Sequence, residues 1–463
     1  MGRTLIQNAA IVNEGRLFVG SVVIDGECID GVFDASEALP GSDFAHVVDT
    51  DGMLLLPGVI DTHVHFRDGG NHDNPAGTFF SESRAARAGG VTSVIDMPNT
   101  TPQTTTLEAL QRKEDMAATD SVVNYGFMLG ATNDNIDQLL AVAPERYAAI
   151  KLFLGSSTGN MLVNNDMMLD RLFRDAHKLI VAHCEEERVV QANMINYKHE
   201  FQGTADETAA LHPKIRNSEA CFLSTYHAVE RARRFGTRLH VAHLSTATEL
   251  SLLSNFDLKN KLITAEVTPN HLFFDDRDYA TLGNRIKCNP AIKSNDDRLA
   301  LWAALADGLI DTIATDHAPH TAEAKARPYF DAPSGIPSVQ HSLVMMLESV
   351  FGVDWTRWRG CTSQSLLAGG VDFEQLTMIV DKMCHAPALL FGIKDRGFIR
   401  KGSKADLVLV RPGVEQTVSK ETLLYKCGWS PLEGQTFHSR VERVWVNGDD
   451  SASSRAERLE FTR

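Results

Sequence analysis

The sequence predicts an α/β protein in which a (β/α)8 TIM-like barrel carries a small β-sandwich domain. Eight apolar runs of strand length recur through the middle of the chain with helical stretches between them, as is typical of a parallel barrel. Short alternating apolar runs bounded by Gly, Asn and Asp occur at both ends, and they indicate one β domain built from the N- and C-terminal segments. An open doubly wound sheet is the alternative, but no G-x-G-x-x-G turn follows the first strand.

These patterns divide the 463 residues into four parts. The bounds are 1–53 for the N-terminal part of the small β domain, 54–392 for the barrel, 393–450 for the C-terminal part of the small domain, and 451–463 for a polar tail. The barrel strands are expected at 59–65, 93–97, 123–129, 149–154, 179–183, 239–243, 263–268 and 312–315. A helix is expected from Thr78, a potential N-cap, to Ala88, before two glycines.

Composition excludes several classes of function. Hydrophobic residues make up 43% of the chain, but no apolar run approaches the roughly 18 residues of a membrane span, and no signal peptide is apparent. A net charge of −15 argues against nucleic-acid binding. Seven cysteines without a repeating spacing indicate a reducing compartment. We therefore expect a soluble, cytoplasmic protein.

Polar side chains alternate at the end of the first barrel strand, where His63, His65 and Arg67 occur. Alternate residues of a strand project from one face, so both imidazoles can reach the same point. Neutral imidazole is a common zinc ligand, which favours a metal site. Taken alone, the motif is also compatible with a pair of surface histidines.

Residues that can bind metal or move protons also lie in or at the ends of four later strands: Lys151, His183, His243 and Asp316. Because the carboxyl ends of barrel strands meet at one mouth, we expect these side chains to converge. A buried ammonium at Lys151 would be repelled by a divalent ion. Either carbon dioxide converts Lys151 into a carbamate that bridges two metals, or Lys151 forms a salt bridge with a nearby acid.

Over nearly its whole length the chain resembles the cyclic amidohydrolases of the amidohydrolase superfamily, and within them the dihydroorotase family. The motifs that carry the resemblance are His-Val-His-Phe-Arg-Asp at 63–68, Met-Pro-Asn-Thr at 97–100, Lys-Leu-Phe-Leu-Gly-Ser-Ser-Thr-Gly-Asn at 151–160, Arg-Ile-Lys-Cys-Asn-Pro at 285–290 and Asp-His-Ala-Pro-His at 316–320.

The resemblance implies a binuclear zinc centre with a bridging hydroxide. The implied ligands are His63, His65 and Asp316 for one Zn²⁺, His183 and His243 for the other, and carboxylated Lys151 between them. Asp316 would also be the catalytic base and then the acid. The implied substrate contacts are Arg67, Asn99 and His320 to a carboxylate, and Asn289 and the Gly335 backbone to a ring.

The implied activity is reversible hydrolysis of the cyclic amide of (S)-dihydroorotate to N-carbamoyl-L-aspartate in de novo pyrimidine (UMP) biosynthesis, carried out by a homodimer. A hydantoinase or allantoinase would share the metals and differ in the substrate pocket, and a non-catalytic scaffold is a further alternative. The complete ligand set argues against the scaffold. The linker 156–165 is either a mobile flap or a plain surface loop, and Gly69, where many relatives have Pro, predicts a more flexible loop after Arg67.

Overall fold

The computed structural model describes residues 2–39, 41, 43–69, 74–155, 160–200 and 208–462. The strands are β1 (Thr4–Asn13), β2 (Arg16–Asp25), β3 (Cys28–Asp34), β4 (His46–Asp49), β5 (Leu54–Pro57), β6 (Val59–Val64), β7 (Val91–Asp96), β8 (Asn124–Phe127), β9 (Leu129–Gly130), β10 (Ile150–Phe153), β11 (Ile180–His183), β12 (Leu239–Val241), β13 (Ile263–Val267), β14 (Thr312–Ile313), β15 (Leu407–Thr417) and β16 (Thr436–Trp445).

The α-helices are Phe79–Ala88, Leu107–Asp120, Ile136–Leu140, Asp166–Asp175, Glu187–Glu200, His212–Ile215, Ser218–Phe235, Pro269–Phe273, Tyr279–Leu282, Asn295–Ala306, Ala322–Lys325, Ser342–Phe351, Ser363–Ala368, Phe373–Val380 and Ala386–Phe391. Short 3₁₀ segments are Pro144–Arg146, Thr248–Leu252, Leu258–Asn260, Asp276–Asp278, Gly283–Ile286, Trp355–Trp358 and Lys420–Thr422, and Asp381–His385 is a π-helical turn. Among the described residues, none of these helices has the length and apolar character needed to cross a membrane.

The barrel strands pair in parallel and in chain order. One sheet contains β6, β7 and β8, and the other runs from β9 to β14. β8 and β9 are two pieces of the third predicted strand, interrupted at Met128, whose N–H donates to the Asp96 carbonyl at 3.2 Å. The circle closes where Val64 pairs with His317 in a parallel bridge. All eight predicted strands are present, and the predicted fold class is confirmed.

The sequence explains why these runs become barrel strands. Every residue of β6, β7, β10 and β11 is buried, as expected for parallel strands covered by helices outside and by packed side chains inside. The predicted helix after the first strand spans Phe79–Ala88, and the hydroxyl of its N-cap Thr78 accepts from the Ser81 N–H at 3.2 Å. Its C-cap is Gly89, as expected.

The two ends of the chain meet in one seven-stranded sheet with the order β16-β15-β5-β1-β2-β3, and β4 pairs with β1. β15, from the C-terminal segment, lies antiparallel to β5. β5 therefore belongs to the small sheet, which extends past the predicted bound at residue 53. Only Gly58 separates β5 from β6, so the small sheet is joined directly to the strand that carries His63.

The segment expected to be a polar tail is packed against the barrel near its end. Leu459 is 1% exposed and Phe461 is 3% exposed. Both belong to a buried cluster that includes Ile60 and Ile95 from β6 and β7. The surrounding residues are polar, but these two apolar side chains cover that part of the barrel.

The seven cysteines are free thiols.

Candidate metal centre and active site

A cavity of about 260 Å³ opens at the carboxyl ends of the barrel strands. Every residue predicted for the site lines it: His63, His65, Arg67, Asn99, Lys151, His183, His243, Asn289, Asp316, His320 and Gly335. Phe153, Ala318, Pro333 and Ser334 complete the wall. Residues from distant parts of the sequence thus share one small space because the strands that carry them end at one mouth.

His63, His65 and Asp316 form a compact cluster in which one ligand atom from each lies within 4.8 Å of the others. The Nε2 atoms of His65 and His63 lie 3.0 and 3.3 Å from the same Asp316 oxygen, Oδ1. Two imidazole nitrogens and a carboxylate oxygen that point at one position are a donor set that Zn²⁺ accepts.

Each of these imidazoles is held through its other nitrogen. His65 Nδ1 donates to Asn99 Oδ1 at 2.7 Å, and His63 Nδ1 is bonded to the buried carboxylate of Glu266. These partners fix the tautomer in which Nε2 keeps its lone pair toward the cavity, as metal-binding histidines require. The bond to His65 uses the oxygen of Asn99, so the amide N–H groups are the part of Asn99 that can donate to a ligand.

His183 and His243 form the second pair. His183 Nδ1 lies 3.0 Å from His243 Nε2, and His183 Nε2 lies 3.0 Å from Glu185 Oε2. Burial opposes the ionisation of Glu185, but Arg216 and His183 outweigh it and hold the pKa of this carboxyl below its usual range. His243 Nδ1 is buried and has no hydrogen-bond partner within the described residues. This environment fits imidazoles that bind a cation.

Lys151 lines the same cavity as the two histidine clusters, and its amine lacks a hydrogen-bond partner in the described part of the chain. It is fully buried, and in the described part of the chain its Nζ makes neither a hydrogen bond nor an ion pair. Burial lowers the pKa of Lys151 to about 8, although Glu266 and Asp316 act in the opposite direction. The salt-bridge alternative is thus not observed, and an isolated buried amine of lowered pKa fits the carbamate that two metals would share.

Arg67 and His320 lie together on another part of the cavity wall. Arg67 Nη2 is 3.3 Å from His320 Nε2, and His320 Nε2 is also 2.9 Å from the Ser334 carbonyl. Burial, followed by the charges of Arg67 and Lys325, lowers the pKa of His320 to about 3, so this imidazole is neutral. The positive charge at this wall is therefore that of the guanidinium.

The ring-contact residues also have distinctive surroundings. Asn289 Oδ1 is buried, and no hydrogen-bond partner for it exists among the described residues. Gly335 has a φ of 142°, and a Cβ there would lie 2.3 Å from the Ala318 carbonyl. Only glycine fits at this position, and the unpartnered Asn289 oxygen is available to accept from an N–H of a ligand.

Three site residues have left-handed backbones: φ is 65° at Arg67, 38° at His243 and 48° at Asp316. Non-glycine residues adopt this region at a cost of roughly 1–3 kcal/mol, and such residues cluster at functional sites. Each of the three follows a barrel strand, where the backbone must turn sharply while the side chain stays at the mouth.

Sequence reasoning missed the carboxylates that orient the imidazoles, Glu266 and Glu185. Glu266 is the only charged residue in the buried strand β13, and an acid inside such a strand was a usable signal. Glu185 follows His183 by two residues, the spacing that places both side chains on one face of an extended segment. From the sequence we expect Gly69 to make the loop after Arg67 more flexible. The structure gives another reason for a glycine there, because a Cβ would lie 1.9 Å from the Thr101 carbonyl. Residues 156–159 of the proposed flap lie outside the described residues, and 160–165 are described.

Comparisons with known proteins agree with this architecture. Residues 54–449 match the model of the amidohydrolase family. The chain is 35% identical to a dihydroorotase from Halobacterium salinarum over 92% of this chain and 91% of the relative. It is 30% identical to an allantoinase from Streptomyces avermitilis over 88% and 86%.

Among solved structures, an L-hydantoinase from Arthrobacter aurescens superposes with a TM-score of 0.86 at 24% identity, covering 99% of this chain and 100% of that one. This likeness supports the fold. The predicted resemblance and the prediction of an enzyme that hydrolyses cyclic amides are confirmed, and the chain belongs to the amidohydrolase family.

Proposed function

We propose that this protein is a dihydroorotase that interconverts (S)-dihydroorotate and N-carbamoyl-L-aspartate in pyrimidine biosynthesis. The observation that carries the proposal is one cavity lined by two chemically different sets of side chains. One set is the predicted metal ligands, and the other, which we call the carboxylate wall, is Arg67, Asn99 and His320. A ring that bears both a hydrolysable amide and a carboxylate matches the two sets.

The carboxylate wall favours an anionic ring over a neutral one. Arg67 is partly buried, and burial lowers the pKa of its guanidinium despite the opposing charges of Asp316 and Asp96. A guanidinium that is partly withdrawn from water gains most from a ligand that offers two oxygens and a negative charge. The neutral imidazole of His320 and the amide of Asn99 supply uncharged hydrogen-bonding groups beside it.

The ligand set supports two Zn²⁺ ions. His63, His65 and Asp316 would hold one, His183 and His243 the other, and carboxylated Lys151 would bridge them. The support is the convergence of the Nε2 atoms of His63 and His65 on Asp316, and the buried Lys151 amine, which has no hydrogen-bond partner among the described residues. When bound, such ions activate a water molecule near neutral pH and polarise the amide carbonyl.

Asp316 is proposed as the group that moves the proton. Burial opposes its ionisation, but His63, His65 and His243 outweigh it and hold the pKa of this carboxyl below its usual range. Asp316 is therefore ionised near neutral pH, which is the form that can accept a proton from the attacking water. Oδ2, which does not bond these histidines, can carry that proton to the amide nitrogen as the ring opens.

Ring opening by zinc-loaded protein supplied with bicarbonate tests the function. The substrates are dihydroorotate, dihydrouracil (the same ring without the carboxylate), hydantoin and allantoin. We expect a strong preference for dihydroorotate. Preference for a neutral ring would keep the metal chemistry but discard the proposed roles of Arg67, Asn99 and His320. No activity on any ring, with two metals bound per chain, would favour the non-catalytic scaffold.

We also propose a homodimeric, cytoplasmic enzyme. The support is the resemblance for the dimer, and composition and free cysteines for the compartment. Sedimentation equilibrium at micromolar concentration should give twice the chain mass, whereas a single-chain mass would contradict the dimer.

A further inference from the structure

A buried ammonium group lies directly behind the substrate-facing wall of the cavity. It belongs to Lys325, the last residue of the helix Ala322–Lys325, and only 4% of this residue is exposed. Its Nζ donates to three backbone carbonyls, those of Lys287 at 3.0 Å, Pro333 at 3.1 Å and Gly335 at 2.9 Å. Pro333 and Gly335 both line the cavity. Lys325 thus supports part of the wall from behind.

Lys287 has the same kind of environment, but its ammonium group bonds carbonyls that do not belong to the cavity wall. It is 8% exposed, and its Nζ donates to the carbonyls of Tyr329 at 2.7 Å and Ala332 at 2.5 Å. Neither of these two partners lines the cavity. The segment 329–335 is therefore folded around two ammonium groups, of which only that of Lys325 contacts residues of the cavity wall.

Both polar backbone groups of Gly335 are held by this arrangement. Its N–H donates to the Lys287 carbonyl at 2.8 Å, and its C=O accepts from Lys325. A ligand can therefore use only the remaining lone pair of the Gly335 carbonyl. The position of that carbonyl depends on Lys325.

Among the described residues, no carboxylate forms an ion pair with Lys325. Its hydrogen-bond partners are carbonyl dipoles, and its Nζ lies 5.9 Å from the centroid of the Trp429 ring. A buried charge without a counter-charge is costly, and that cost falls when an anion binds close to it. Burial, with the charges of Lys287 and Arg67 acting in the same direction, lowers the pKa of Lys325 to about 7, so an anion bound nearby would stabilise its charged form. Burial is also the largest cause that lowers the pKa of His320, followed by the charges of Arg67 and Lys325.

We propose that Lys325 is a positioning residue that determines specificity: it holds the Pro333–Gly335 wall and supplies positive potential that favours a ring bearing a carboxylate. This inference rests on the proposed function, since it assumes that the anionic ring binds against Arg67. Lys325 would then contribute to the preference for an anionic substrate without touching that substrate.

The test compares K325M and K325Q with the matched control K287M in the zinc-loaded protein. K325M removes the charge and the donors, whereas K325Q removes the charge but keeps a donor for the carbonyls. Turnover is measured with dihydroorotate and with dihydrouracil. Equilibrium binding is measured by calorimetry with orotate and with uracil, two planar rings that also differ by a carboxylate.

We expect both Lys325 variants to raise KM for dihydroorotate and to weaken orotate binding about tenfold or more, where tenfold corresponds to about 1.4 kcal/mol. Uracil and dihydrouracil should be affected much less, and K287M should stay near the wild type for all four compounds. If K325M unfolds, K325Q carries the test.

Three outcomes would overturn the inference. The variants could lose the anionic and neutral rings equally, K325Q could bind orotate as the wild type does, or both Lys325 variants could keep the wild-type KM and orotate affinity. Failure of the proposed function is seen separately, because the wild type would then not prefer dihydroorotate to dihydrouracil.

Discussion

Glu266 offers the sharpest test of the metal centre, because it acts on two predicted ligands without touching the substrate. Its Oε1 bonds His63 Nδ1 and accepts from the His243 backbone N–H at 3.2 Å, and Oε2 lies 3.5 Å from His240 Nε2. Glu266→Gln keeps the shape of the side chain and removes its charge. We therefore expect the His63 imidazole to be less well oriented and less basic.

The size of the effect follows from the bonds that change. A hydrogen bond to a charged group contributes roughly 1.5–3 kcal/mol, and the loss of such an orienting carboxylate typically weakens metal binding roughly 10- to 100-fold. We therefore expect E266Q to bind Zn²⁺ weaker by a factor in that range. The assay is competition between the apoprotein and a chromophoric zinc chelator.

The matched control is Glu249→Gln. Glu249 is also a buried acid, but its side chain bonds the hydroxyls of Thr225 and Thr246, each at 2.7 Å, and it bonds no imidazole within the described ranges of the chain. E249Q should bind Zn²⁺ as the wild type does. Unchanged zinc affinity in E266Q, or an equal loss in E249Q, would refute the role of Glu266 as the group that orients His63.

Four further outcomes are expected. Arg67→Met should raise KM for dihydroorotate at least tenfold, about 1.4 kcal/mol, and spare dihydrouracil; equal effects on both rings would contradict carboxylate binding. Asp316→Ala should reduce kcat by roughly 10²–10⁴-fold while orotate still binds, and near-normal turnover would exclude it as the base. Phe461→Ala should lower the free energy of unfolding by roughly 3–5 kcal/mol, whereas a change below that in chemical denaturation would mean that the C-terminal segment does not cover the barrel. Burial lowers the pKa of Lys178 to about 8 from its usual 10.5, so the native state loses this proton before the unfolded state does; stability relative to Lys178→Met should therefore rise between pH 8 and 10.5, and a flat difference would contradict that burial.

The parts of the fold that could be predicted are those with a strong local pattern. The barrel strands are short apolar runs, and the residues at their ends stand out because polar side chains interrupt such runs. The convergence of His63 with Asp316 then follows from barrel topology alone. Their contact did not have to be predicted as a separate pairing, because it follows once the barrel is recognised.

The parts that could not be predicted depend on distant pairings. β5 reads as the start of the barrel, but Leu54–Pro57 pairs with β1 and with β15, which lies more than three hundred residues later. Leu459 and Phe461 occur in a polar segment, and their burial depends on an exposed part of the barrel that only the folded chain provides. The sequence does not distinguish Lys325 and Lys287 from the other lysines. The backbone carbonyls that surround them in the fold are the same in every residue type, so they leave no signal in the sequence.

A crystal structure of the zinc-loaded protein with N-carbamoyl-L-aspartate and dihydroorotate at equilibrium would show the proposed metal centre and carboxylate wall directly. We expect metal ions held by His63, His65, His183, His243, Asp316 and a carboxylated Lys151, with the ring carboxylate bonded to Arg67, Asn99 and His320. A ligand whose ring carboxylate lies away from Arg67, or metal ions bound without Lys151, would contradict this expectation.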